Sequence, residues 1–208
     1  MNEPDHEYIN PNYVQPTVIK QLQQQFAQQD SIQLRNFLNK ECYDELAKPL
    51  SKASWKPHAV FDLYAHYTTT VKEISTFLTS KHFLDLCSSV TGTKLKHATF
   101  QTLLFKHRNY TLLNDELREP PGIAFELDFT ADWKPEWGGY TSIVSGENEL
   151  FRITPTPNTL TLYKRDRTIQ RFVKYVNHLA GKNMRIVVRG NFPNSQARSG
   201  KFGGDIGF

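Results

Sequence analysis

The residues able to do chemistry in this 208-residue chain are dispersed. Seven histidines are present, and those nearest the later strand segments are His107 and His178. Neither falls at a spacing that would gather a metal-binding set, and His58, His66, His82 and His97 read as surface or satisfied histidines. The two cysteines, Cys42 and Cys87, have no metal-type spacing either. They lie in segments with helical apolar periodicity, where a free thiol packs as a small core residue, a usage that fits a reducing compartment. No Ser, His and acid order and no activated cysteine suggests nucleophilic catalysis. Gly138 and Gly139 read as a strand-entry turn rather than a phosphate loop. The one cationic run is Lys164, Arg165, Arg167, Arg171 and Lys174. At strand spacing these residues alternate between faces, so the run reads as a solvated edge. A nucleic-acid role is not expected from a net charge of only +4.

The elements that must carry these residues change character halfway along. Val18, Ile19, Leu22 and Phe26 recur at helical spacing and predict a first helix over Thr17 to Gln29, with Pro16 where a helix start tolerates it. A second begins after the cap Asn39, runs through Tyr43, Leu46 and Ala47, and is expected to be stopped by Pro49 and the Ser-rich run after it. A third is predicted from Thr70 to Leu78. A fourth is capped by Ser80, has Phe83, Leu84, Leu86, Cys87 and Val90 on its apolar face, and ends at Gly92. Beyond Gly92 the period becomes alternating. Strands are predicted at Ala98 to Phe105, Tyr110 to Leu113, Ile123 to Phe129, Gly139 to Val144, Glu149 to Ile153, Thr159 to Arg165, Arg171 to Val176 and Arg185 to Phe192. Turn sequences such as Glu119-Pro120-Pro121-Gly122 separate them.

Eight short strands after four helices predict an α+β domain: a double-stranded β-helix, the cupin-like jelly roll, with the helices packed outside its sheets. With 38% hydrophobic residues the chain can build such a core unaided. The expected organisation is a flexible lead at 1–15, one domain at 16–192 and a Gly- and Ser-rich flexible tail at 193–208. No stretch approaches the roughly 18 uninterrupted apolar residues of a membrane span. The polar, acidic start shows no secretory pattern and could equally open a piece of something longer.

Several local sequences occur in a telling order. They are Ile32-Gln33-Leu34-Arg35-Asn36-Phe37-Leu38, Val90-Thr91-Gly92, Tyr110-Thr111-Leu112-Leu113-Asn114-Asp115-Glu116-Leu117, Trp133 with Trp137-Gly138-Gly139-Tyr140, and Arg171-Phe172-Val173-Lys174-Tyr175-Val176. In this order, across Asp30 to Phe192, the chain resembles the prolyl hydroxylases that use iron and oxoglutarate to modify a ribosomal protein. Fungal members of that family carry two tandem jelly rolls, and the resemblance is to the second, degenerate one.

The resemblance implies a lost metal centre. Such an enzyme holds iron with two histidines and one carboxylate. Here the acid matches Asp115, the first histidine position is Leu113 and the second is Arg171, so no metal and no catalytic residue is expected in this domain. Arg185, in Arg185-Ile186-Val187-Val188-Arg189-Gly190, matches the arginine that takes the far carboxylate of oxoglutarate, and without iron no cosubstrate is expected there. Neither His107 nor His178 has the spacing to restore the triad with Asp115. Arg171 would instead pair with Asp115 as a structural element. The function implied is a protein-interaction domain beside a catalytic jelly roll of the same polypeptide, in an oxygen-responsive regulator of nucleus and cytoplasm. Its C-terminal copy promotes degradation of a sterol-responsive transcription factor, and a separate inhibitory protein binds the regulator. Iron and oxoglutarate would then belong to the other domain. The alternative is a divergent dioxygenase with a reduced ligand set. Trp133, Trp137, Tyr140, Phe202 and Phe208 are the candidates for an exposed aromatic partner face, with core packing the equal alternative for Trp133 and Trp137.

Overall fold

The structure is a computed structural model, and it describes residues 8–113 and 120–193. Asp115, Phe202, Phe208 and the predicted lead and tail, apart from Tyr8 to Gln15 and Pro193, lie outside the described residues.

Four helices precede most of the sheet. Helix α1 (Pro16–Gln29) opens on Pro16 and closes at Asp30, whose left-handed backbone (φ 53) lets its N–H reach the Phe26 carbonyl at 2.9 Å. Helix α2 (Lys40–Lys52) is capped by Asn39, whose side chain accepts from the Cys42 N–H. Pro49 alone does not stop the helix, which continues with Pro49 inside it to Lys52, in the Ser-rich run expected to help end it. A proline in the last turn forfeits one backbone hydrogen bond. Continuing places Leu50 in the core at 1% exposure, and removing a leucine side chain from water is worth about 1.5–3 kcal/mol. Helices α3 (Lys72–Thr79) and α4 (Lys81–Thr91) follow, the second capped by Ser80 and ended by Gly92 at φ 65.

The first half is less helical than its sequence suggests. It contains β1 (Ser31–Arg35), β2 (Lys56–Val60) and β3 (Tyr64–Thr69), none of which the periodicity predicts. The later strands are β4 (Thr99–Phe105), β5 (Tyr110–Thr111), β6 (Gly122–Asp128), β7 (Thr141–Ser145), β8 (Asn148–Ile153), β9 (Thr159–Arg165), β10 (Ile169–Val173) and β11 (Arg185–Pro193). All eight predicted strands are present, β9 with the expected ends and the others with shifted ones; the second stops at Thr111, and the seventh starts at Ile169 and ends at Val173.

These strands form two antiparallel sheets. The larger runs β1-β9-β6-β11-β4-β3-β2, with β5 paired to β3; the smaller runs β10-β7-β8. Strand alternation gives the large sheet two different faces. Ile123, Phe125 and Leu127 of β6, Leu160 and Leu162 of β9, and Val188 and Phe192 of β11 pack against Phe26, Ile74, Phe77, Phe83 and Val90 of the helices. The alternate residues face the small sheet, where Ala124 and Tyr163 meet Ile143 and Ile153, and Val187 meets Trp137, Val173 and Val176. This is the jelly roll with external helices that the sequence predicts, and both cysteines are buried, in α2 and α4.

Candidate functional site

The inner face of the large sheet carries charge where apolar packing would be expected. In β6 the run Phe125-Glu126-Leu127-Asp128 puts two acids on the inner face, and antiparallel pairing with β11 sets Arg189 directly opposite Glu126 and Val187 opposite Asp128. Arg185, two residues along, lies on the same face. Ionised groups enter an interior only with partners, and here Arg185, Arg189 and Glu126 each have several, whereas Asp128 Oδ2 has no hydrogen-bond partner. The Arg185 guanidinium, 0% exposed, donates from Nη1 to the Gly139 carbonyl (2.6 Å) and Thr141 Oγ1 (2.9 Å), and from Nη2 to Glu126 Oε2 (2.8 Å). Its Nε lies 3.5 Å from Asp128 Oδ2. Arg189 donates from Nε to Glu126 Oε1 (2.8 Å) and from Nη2 to Thr141 Oγ1 (3.2 Å), and the Thr141 hydroxyl donates to Glu126 Oε2 (3.0 Å).

The two acids respond oppositely to the same burial. Desolvation acts to raise Glu126, but Arg189, Arg185 and Arg171 with the Thr141 hydroxyl outweigh it and hold the carboxyl at about 2. Asp128 is equally buried and Arg185 offsets less, so desolvation pushes its carboxyl up to about 6. Its Oδ1 accepts from the Thr130 N–H at 2.7 Å.

Above this network lies an open cavity of about 1360 Å³ between the two sheets. Arg165, Arg167, Arg171 and Arg189 line it with Asp166 as the acid among the described lining residues, and His58 and His66 line it too. The cationic run is a solvated edge only in part: Lys164, Arg167 and Lys174 are exposed, but Arg165 is 6% exposed and Arg171 donates from Nη1 to the Tyr163 hydroxyl at 2.9 Å. Both belong to inner-facing positions of β9 and β10, whereas Lys164 and Lys174 point to solvent. His66 also departs from the expected surface or satisfied histidine. It stacks on His58 with ring centroids 6.0 Å apart, and its Nδ1 is buried with no hydrogen-bond partner. Desolvation, with Arg189 and His58, lowers its pKa to about 4, so it is neutral at pH 7.

The sequence-predicted positions distribute unevenly around this cavity. Arg171 lines it; Leu113 is 42% exposed and outside its lining; Arg185 is sealed beneath it. The proposed Arg171 to Asp115 pair lies outside the described residues. His107 packs edge-on to Tyr175, and among the described residues no three His, Cys, Asp or Glu side chains could hold one metal ion. At the positions that the resemblance assigns to iron and oxoglutarate, Leu113 has no donor atom, Arg171 brings a cation, and Arg185 holds a carboxylate of the protein itself. Of the described aromatic candidates, one is buried and two are partly buried. Trp137 is 9% exposed and in the core, and Trp133 packs edge-on to it at 5.3 Å while donating to the Gly138 carbonyl. Tyr140 is half-buried under the Arg152 guanidinium. Glu126, Asp128 and Arg189 escaped the sequence reading; two acids inside an apolar strand were the available signal.

Solved structures of iron and oxoglutarate oxygenases share this fold. A prolyl hydroxylase from Trichoplax adhaerens, solved with a hypoxia-inducible-factor peptide fragment, superposes with a TM-score of 0.68 at 15% identity, covering 86% of this chain and 90% of its own. A prolyl 4-hydroxylase from Pseudomonas putida gives 0.64 at 12% identity, covering 85% and 98%. The family described as "Oxoglutarate and iron-dependent oxygenase degradation C-term" matches residues 3–61 and 58–199, and the chain belongs to that family. Among curated relatives, the Xenopus laevis prolyl 3-hydroxylase OGFOD1 is 25% identical over 222 residues, which is 83% of this chain and 43% of the relative. The Mus musculus protein of the same name is 41% identical over 81 residues, 36% of this chain and 14% of the relative. The chain thus spans less than half the length of these relatives.

Proposed function

We propose that this chain is a non-catalytic, protein-binding jelly roll that works beside a catalytic iron and oxoglutarate jelly roll and promotes degradation of a client protein. One observation carries the reading. Arg185, at the position matched to the oxoglutarate arginine, is fully buried and bonded to Glu126, so an internal carboxylate occupies the partner role that a cosubstrate carboxylate would need. Leu113 and Arg171 at the two histidine positions support it. The parent protein in this reading is a prolyl hydroxylase whose iron and oxoglutarate sit in its other half. A transcription-factor client, an inhibitory partner, oxygen response and residence in nucleus and cytoplasm form part of the same proposal.

Calorimetric titration of the purified chain with manganese in the presence of oxoglutarate tests it. The expected result is no heat of binding from either. Micromolar, stoichiometric uptake of metal with oxoglutarate would overturn the non-catalytic reading.

A further inference from the structure

The helices cover only part of the side of the large sheet on which they lie. Their apolar residues pack against β6, β9 and β11, and among the described residues none of that core comes from β2, β3 or β5. The pairing register says what these three strands present there. Pro57 stands opposite Tyr67, and Ala59 opposite Ala65. Ala65 also stands opposite Tyr110, and Tyr67 opposite Leu104, whose other neighbour Ile186 packs against the helical core. Directly paired residues share a face, so these six uncharged side chains lie together on the helix side. His58 and His66, one residue out of step, line the cavity on the other. The shared face is open: all of β2 is exposed and β3 is only half-buried.

Its size selects an occupant. Three strands about 4.8 Å apart and five residues of about 3.4 Å each give roughly 14 Å by 17 Å, or about 240 Å² in plan. A standard interface takes about 800 Å² from each partner, so the face is too small to hold a second copy or the broad surface of another domain. An α-helix is about 10–12 Å across and rises about 1.5 Å per residue, which matches the width and spans the length in about eleven residues. An added strand suits the site less well, because β2 is the sheet edge and Pro57 lacks the N–H that pairing there would use. The same side of the sheet already receives helices over β6, β9 and β11.

Relief and charge refine the match. Ala59 and Ala65 lie side by side with Tyr67 and Tyr110 next to them, which leaves a hollow between two rings for an apolar side chain. At the border Lys106 Nζ lies 4.4 Å from the centre of the Tyr67 ring, and Arg108 is exposed in the turn after β4. Asp62, at the hairpin tip, is the acid set against these two cations. Resting on the protein-binding reading above, we propose that this face docks one amphipathic α-helix of a separate protein, about eleven residues long. Its apolar stripe lies on Ala59, Ala65, Tyr67 and Tyr110, and acidic residues run along the flank beside Lys106 and Arg108.

Selection from a display library tests the proposal. Helices of about eleven residues, held on a fixed scaffold with their surface positions randomised, are selected against the intact chain. Enriched sequences are then made as fluorescein-labelled, lactam-bridged peptides for fluorescence anisotropy. The expected result is enrichment of helices with Leu, Ile or Phe at helical spacing and Asp or Glu on one flank. Their binding should weaken at least about tenfold in Ala59→Glu, which puts a charge under the apolar stripe, and in Lys106→Glu, which reverses the border. Both positions are exposed, so near-ultraviolet circular dichroism should not change, and either variant carries the test if the other misfolds. Enrichment of basic helices, of helices that bind both variants as tightly as the parent, or of none would overturn the proposal. Capture of the chain by phosphatidylserine vesicles in place of helices, lost in Ala59→Glu, would overturn it too. The manganese titration reads a different event, so metal uptake sinks the non-catalytic reading whatever the helices do.

Discussion

Glu126 accepts from Arg185 through one carboxylate oxygen and from Arg189 through the other, each at 2.8 Å, with Glu126 and Arg185 wholly inside the jelly roll. One acid thereby holds two arginines drawn from a strand more than fifty residues further along the chain. Both oxygens of the carboxylate are in use, and neither arginine can turn to another ligand without stranding it.

Removing that carboxylate should expose how strongly the interior depends on it. Glu126→Gln keeps the size of the side chain but leaves two buried guanidinium groups short of an anion, a defect that costs about 3–5 kcal/mol. For a domain of this size that lowers the thermal midpoint by roughly 10 °C. Denaturant unfolding of the two proteins at pH 7 measures it. A midpoint unchanged by the substitution would mean that the arginines keep adequate partners without Glu126.

Asp128 should make stability depend on pH in the opposite sense to its neighbour. Its folded pKa, about 6, lies above its ordinary 3.8, so the folded state binds the proton more tightly. The stability this contributes is complete below 3.8 and is lost as pH rises through 6. Glu126, depressed from 4.5 to about 2, contributes above 4.5 and loses its contribution as pH falls through 2. Asp128→Asn retains an acceptor for the Thr130 N–H and removes the titration together with the charge facing Arg185. Relative to the parent, its stability should climb between pH 4 and 6 by about 3 kcal/mol, following 1.36 kcal/mol for each pKa unit, and level off above. Denaturant midpoints of both proteins across that range read the difference directly. Parallel pH curves would show that Asp128 is ionised throughout.

How much of this could be read from residues alone follows from which contacts are local. The helices α1 and α4 are legible because Val18, Ile19, Leu22 and Phe26, and then Phe83, Leu86, Cys87 and Val90, repeat at helical spacing between recognisable caps. Strands β6 and β9 are legible as compact runs rich in apolar and β-branched residues between turns. β2 is not, because Lys56-Pro57-His58-Ala59-Val60 has no buried face and is a strand only through its pairing with β3. The site was half legible. Resemblance singled out Arg171 and Arg185, but the partner of Arg185 depends on the register between β6 and β11, 63 residues apart at the Glu126 to Arg189 pair. Composition likewise could not say whether Trp137 faces solvent or the core, since an aromatic suits both.

Gly190 offers a check on the packing that separates the helices from the sheet. It sits in β11 with ordinary backbone angles, so glycine is required there by space rather than by conformation. A Cβ at this position would lie 2.3 Å from Phe125 Cζ and 2.6 Å from the Thr99 carbonyl oxygen. Phe125 cannot easily swing aside, because its ring is packed edge-on to Phe83 at 5.5 Å and against Phe192 at 5.1 Å. Gly190→Ala should therefore destabilise by about 1–3 kcal/mol, the range for overpacking a filled core. In a Phe125→Leu background the same change should cost less, because the aromatic edge that meets the new methyl is gone. Some cost should persist, since the Thr99 carbonyl belongs to the neighbouring strand and cannot retreat without breaking the pairing of β4 with β11. A double-mutant cycle measured by denaturant unfolding gives the coupling. A coupling of zero would place the strain of Gly190→Ala in the backbone of β4 rather than against the ring of Phe125.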